Sequence, residues 1–234
     1  MITPDYSDYL DERNMSLWEF VNNYYETKLE YTTEETYGVY TINKTSTIYV
    51  PFNVHSKSSF THELLHIYIK VNIGSVGRYL ENGFKHDKLL SKAYKYELIN
   101  HLSNCLEHVK MLPKFIELGY PRNEFVVDYL ERKSSFTSII KILLDFKFVG
   151  HWTTSLELYL ARYFAIKACP DSKRSYGLSL FMLKRINNPL YKILDNFWKL
   201  WLAFDINNLE NNYHFFFYKF IDDLSAWAKN NSVQ

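Results

Sequence analysis

Apolar positions keep helical spacing in some stretches of the chain and alternate in others. Trp18, Phe20, Val21, Tyr24 and Tyr25 recur at helix-like intervals, which predicts a helix from about Ser16. The next stretch, LEYTTEETYGVYTINKTSTIYVPF (29–52), is rich in Thr, Tyr, Val and Ile and punctuated by Gly38 and Asn43-Lys44. Alternation in YGVYTI and STIYV predicts two or three short antiparallel strands, ended by Pro51 and NVHSKSS. Ser58 or Ser59 then offers an N-cap for a helix over FTHELLHIYIK, apolar on nearly every side apart from its His and Glu positions. Such a helix belongs inside a domain.

Gly74, Gly77 and ENGF (81–84) read as loops. KLLSKAYKYELINHLSNCLEHVKMLPKFIEL (88–118) reads as one or two helices, broken near Pro113. Beyond GYP (119–121) the pattern is helical and strongly aromatic, in LELYLARYFAIKA (156–168), NPLYKILDNFWKLWLAFDI (188–206) and NNYHFFFYKFIDDLSAWAK (211–229). The expected fold is therefore α+β and mostly α-helical. A small antiparallel sheet and the HELLH helix occupy residues 1–120, and an all-helical lobe packed on them occupies 121–234. Aromatic stripes at helical spacing are read as core packing, with the lobe also able to wall a cleft.

Composition narrows the classes. Of 234 residues 47% are hydrophobic and 18% aromatic, ample for a core. With Lys+Arg 27 against Asp+Glu 26 and the signs interspersed, no direct nucleic-acid binding is expected. The start, MITPDYSDYLDER, is acidic and has no apolar run, so no signal peptide is read there. FTSIIKILLDFKFVG and NFWKLWLAF are too short or too charged to span a bilayer, so no membrane partner is expected. Cys105 and Cys169 are too few for a disulfide framework, and a cytoplasmic location follows as the expectation.

The chemistry lies in His62-Glu63-Leu64-Leu65-His66. Residues i and i+4 of a helix lie about 40° apart, so both imidazoles can face one metal ion, Zn2+ by preference. Glu63, beside the first of them, is placed as general base to take a proton from a water held there and pass it to a leaving amine. The alternative is a pair of hydrogen-bonded core histidines. Two His and a Glu within an apolar helix need a reason to be there, which favours the metal.

A third ligand is needed. Ile67, Tyr68 and Ile69 follow the second His and no Gly comes before Gly74, so the ligand is sought in YELINHLSNCLEHVKMLP (96–113). At about 100° per residue, Leu98, Leu102, Cys105, Leu106, Val109 and Leu112 form a core stripe. Glu97, His101, Asn104 and His108 border it. Geometry thus favours His108, then His101 or Glu97, while Glu107 stays open because a Glu commonly completes such sites. Asn104 could orient a ligand. Tyr94, Tyr96, His55, Tyr120 and His151 are candidates to polarise a substrate carbonyl.

The sequence TIYVPFNVHSKSSFTHELLHIYIK followed by NCLEHVKMLP resembles the minimal zincin-like metallopeptidases of the IrrE/ImmA type, over roughly residues 16–120. The resemblance implies a compact cytoplasmic zinc peptidase making limited cuts in a regulatory protein, with His62 and His66 as ligands and Glu63 as base. The family presents its ligand Glu before an Ala-Asn-x-Phe-Ala-like stretch ending in Met-Pro. Here only Asn104 and the MLP ending correspond. The expected partner is a protein or peptide substrate. The alternative is a non-catalytic regulatory or interaction protein, such as a defence or toxin–antitoxin component, in which the zinc is structural.

Overall fold

A computed structural model describes residues 4–149, 151–208 and 214–231. The fold is α+β and mostly helical, with a three-stranded sheet near the start and helices through the C-terminal part. The chain forms two compact units. One comprises residues 1–74 and 109–130, the other 75–108 and 131–234.

In the first unit, α1 (Met15–Asn22) precedes β1 (Glu26–Thr32), β2 (Gly38–Ile42) and β3 (Thr45–Pro51). The sheet is mixed, in the order β1-β3-β2, and this corrects the antiparallel expectation. The β2–β3 pair is antiparallel, but β1 runs parallel to β3, with Leu29 opposite Ile48. The physical reason is burial. β3 buries Ser46, Ile48, Val50 and Pro51 and takes the centre, while β2, with Tyr40 and Ile42 exposed, suits an edge. Asn43, the only non-glycine residue of positive φ (53°) among those described, turns β2 into β3, a conformation Asn tolerates.

The HELLH segment lies on α2 (Lys57–Ile73). Its N-cap is Ser56, not Ser58 or Ser59: the Ser56 hydroxyl accepts from the Ser59 amide at 3.1 Å, satisfying a donor the helix cannot. Gly74, at φ 73°, ends it. Phe60, Leu64, Leu65, Ile67 and Ile69 are all buried, so the helix is packed round most of its circumference.

In the second unit, α3 (Val76–His86) runs through Gly77 and Gly83, where loops were expected. These glycines permit close packing. A Cβ on Gly83 would lie 2.5 Å from Ile221 Cγ1, and one on Gly77 3.2 Å from Ser103 Oγ.

α4 (Tyr96–Glu117) likewise continues through Pro113 without the expected break. The proline forgoes one helical hydrogen bond, and the fully buried Met111 and Phe115 hold the turns on either side. The passage between units falls inside this helix, between His108 and Val109.

The remaining helices are α5 (Phe136–Leu144), α6 (Trp152–Lys167), α7 (Gly177–Ile186), α8 (Asn188–Ala203) and α9 (His214–Asn231). The three aromatic segments are helical over most of their length, but the second ends at Ala203, with Phe204, Asp205 and Ile206 beyond the helix; residues 211–213 of the last lie outside the described residues. Most of their aromatics are core, as expected, although Phe215 and Tyr218 are exposed. Tyr159, Tyr163, Phe164 and Trp201 are fully buried, Phe197 stacks on Phe220 at 4.1 Å, and the Trp201 indole donates to Leu106 O at 2.9 Å. No helix among the described residues is long and apolar enough to cross a membrane.

Candidate metal centre

Three imidazoles converge. One ring nitrogen from each of His62, His66 and His108 lies within 4.8 Å of the others. His62 and His66 come from successive turns of α2, and His108 comes from α4 at the residue before that helix enters the first unit. The Nε2 atoms of His62 and His66 are 3.2 Å apart, with the rings inclined at 72°.

Two nitrogens bound tetrahedrally to zinc at 2.0–2.1 Å stand about 3.3 Å apart. A distance of 3.2 Å also suits an N–H···N hydrogen bond, which is the core-pair alternative. The third imidazole, within 4.8 Å, favours the metal reading. A hydrogen bond between rings needs two partners, whereas a cation gathers three neutral donors round one point. The group is therefore one that could hold a metal ion.

Burial supports this. His62 retains 9% of its surface and Glu63 8%, and a titratable pair is costly to bury unless something compensates it. Glu63 is adjacent to His62 on α2, so its carboxylate emerges about 100° round the helix. The Phe125 ring lies 4.8 Å from that of His62, Phe115 lies behind Phe125 at 5.2 Å, and both are buried. Aromatic walls of this kind exclude water from one side of a site and lower its dielectric.

The other candidate ligands are engaged elsewhere or exposed. Glu107 accepts from Ser103 Oγ at 2.9 Å and is outside the three-nitrogen group. His101 Nε2 lies 3.0 Å from Ala161 O and 3.7 Å from Cys105 Sγ, within the second unit. Glu97 and Asn104 are exposed.

Of the proposed carbonyl-polarising residues, Tyr94 donates to Glu81 at 3.0 Å, while Tyr96, His55 and His151 are exposed. Tyr120 is buried and donates to Asp11 at 3.3 Å, with the Arg13 guanidinium 4.0 Å over its ring. Burial raises the Tyr120 pKa. The hydrogen bond from Arg13 leads the influences on Asp11 and holds that carboxyl below the ordinary range.

The sequence reading missed the support behind α2. Asn14 is fully buried. Its amide donates to Tyr9 O at 3.0 Å and to Thr61 Oγ at 2.9 Å, and its carbonyl accepts from the Asp11 amide at 2.8 Å. The Thr61 hydroxyl in turn donates to Lys57 O at 2.7 Å. This chain of bonds pins α2 one residue before His62. The only signal in the sequence was an Asn just ahead of a predicted helix, which ordinarily marks a cap; here it makes no capping bond to its own helix. Beside it, burial pushes the Tyr9 hydroxyl up to about 12, with Tyr37 the next contributor.

Comparison with protein-family models, with curated proteins and with solved structures returned no match.

Proposed function

We propose that the protein is a zinc-dependent metallopeptidase that hydrolyses a peptide bond in a specific protein substrate. The observation that carries the reading is the convergence of His62, His66 and His108 within 4.8 Å, with a buried Glu63 beside the first of them. A donor set of three imidazoles suits a borderline-soft divalent ion such as zinc.

Bound there, zinc would supply a Lewis acid, acidifying a water toward neutral pH and polarising the scissile carbonyl. The protein's own groups do the rest. His62 and His66, locked one turn apart on a helix buried on most sides, present their nitrogens without rearrangement. Glu63 takes the proton released by the attacking water and delivers it to the departing amine. Phe125 and Phe115 keep bulk water from one flank, so the carboxylate acts where charge interactions are strong. The substrate is a folded or flexible protein segment, and a cytoplasmic regulatory protein fits the resemblance noted above.

The deciding experiment combines metal analysis with one substitution. The wild type should hold about one zinc per chain. Glu63→Gln should keep that zinc and lose cleavage of a co-expressed candidate substrate by several orders of magnitude, since it removes the base but not the ligands. Equal activity of wild type and Glu63→Gln would sink the peptidase mechanism and leave the zinc a structural role in a regulatory protein. No zinc uptake by the wild type would return the three histidines to core packing.

A further inference from the structure

Charge is not spread evenly along this chain. Between Glu131 and Lys192 there are eleven Lys and Arg against four Asp and Glu, a net +7. The remaining residues carry sixteen against twenty-two, a net −6. The overall +1 therefore conceals a basic stretch within the second unit.

Two of that stretch's four carboxylates are already taken. Glu157 pairs with Lys95 at 2.5 Å and Asp171 with Arg174 at 3.0 Å. Lys141, Lys147, Lys184 and Arg185 are exposed and make no ion pair among the described residues. The same elements leave large apolar side chains in solvent. Leu144 closes α5, Phe148 lies on the π-helical turn that follows (Asp145–Val149), and Leu178 and Phe181 lie on α7. Phe148 is 77% exposed and Leu178 68%. α5 and α7 pack on one another. On α7, Leu178, Phe181 and Arg185 fall within about 60° of one another, with Lys184 at the edge.

We infer that α5, its π-helical turn and α7 form a surface that docks on an anionic lipid bilayer. Apolar side chains standing among lysines are what an interfacial contact needs. The rings enter the headgroup boundary, and the ammonium groups meet lipid phosphates and carboxylates. A protein partner would favour Arg over Lys, since Lys is depleted in protein interfaces. Here three of the four exposed cations are Lys. The contact is peripheral, consistent with the absence of a spanning helix among the described residues. It does not depend on the metal reading. It adds a place where the enzyme proposed above would work, and it holds equally if the histidines prove structural.

The test is co-sedimentation of the full chain with vesicles of two parts phosphatidylcholine to one part phosphatidylserine, beside vesicles of phosphatidylcholine alone. Binding is expected to the first and not the second, and to weaken as salt is raised. Each cation at an anionic surface contributes about fivefold in affinity, so Lys184→Glu with Arg185→Glu should weaken binding by at least ~25-fold. Leu178→Ser with Phe181→Ser should also release the protein, with circular dichroism reporting that the helices persist. No binding to anionic vesicles at low salt, or equal binding by the charge-reversed variant, would overturn the inference. So would retention of an acidic polypeptide such as polyglutamate without vesicle binding, which would assign the surface to a protein partner.

Discussion

The two units bury different things. Around α2 the first unit buries Asn14, Ser58, Thr61, His62 and Glu63; Asn14 donates to the Thr61 hydroxyl, which donates in turn to Lys57 O at the start of that helix. The second unit fills its interior with Tyr159, Tyr163, Phe164, Phe197, Trp201 and Phe220, held by ring contacts such as Phe164 against Trp198 at 6.0 Å. Polar groups cost free energy to bury and aromatic ones return it. The first unit therefore carries a buried polar cost near α2 that the ring-packed interior of the second does not.

The largest effect should come from the ring-packed interior. Trp201→Ala removes a fully buried indole and its bond to Leu106 O, and should cost about 3–5 kcal/mol, read as a lower midpoint in urea. If it cost under 1 kcal/mol, the aromatic interior would not be what stabilises the second unit.

Metal should act away from that interior, on α2 and on the turn of α4 that carries His108. Zinc at a hundred times its dissociation constant stabilises the form that binds it by about 2.7 kcal/mol. Amide hydrogen exchange should slow along α2 and the middle of α4 and stay unchanged through α8 and α9. Slowing spread evenly over both units would erase the distinction.

Asn14→Ala should come next, at about 1–3 kcal/mol, because it strands buried partners at Tyr9 O and Thr61. It should also weaken zinc binding, by about 10- to 100-fold if α2 loses its fixed orientation. Loss of stability with unchanged zinc affinity would make Asn14 a packing residue only.

The smallest effect is acid sensitivity. The hydrogen bond from Arg13 dominates the lowering of Asp11. At Asp195 burial opposes ionisation, but hydrogen bonds and charge from Lys199 and Lys167 outweigh it. Both folded values lie below the unfolded one of about 3.9. The stability they contribute is thus full above that value and lost as pH falls through the folded values. Asp11→Asn in the first unit and Asp195→Asn in the second should each flatten the fall of the urea midpoint below about pH 4. An unchanged slope in either variant would remove that carboxylate from the account.

Much of this was legible along the chain. Alternation located β2 and β3, and helical spacing located α1, α2, α6, α8 and α9. Three features were not legible, each because a partner distant in sequence decides them. β1 runs parallel to β3 because β3 is the more apolar strand and takes the centre. Gly77 and Gly83 sit inside α3 where Ser103 and Ile221 pack closely, at 3.2 and 2.5 Å from any added Cβ. Pro113 stays within α4 because buried neighbours hold the turns around it.

The candidate centre divides the same way. Sequence alone determined that His62 and His66 share a helical face with Glu63 beside them, since helix periodicity is a local property of the backbone. It also ranked His108 ahead of Glu107 from the phase of α4. Only the tertiary structure decided which of those side chains comes within 4.8 Å of the pair, and that Asn14, 47 residues from Thr61, braces the helix that carries it. Spacing sets the direction in which a side chain leaves its own helix. What it meets there depends on how separate elements pack, and that is settled by the burial of the whole chain.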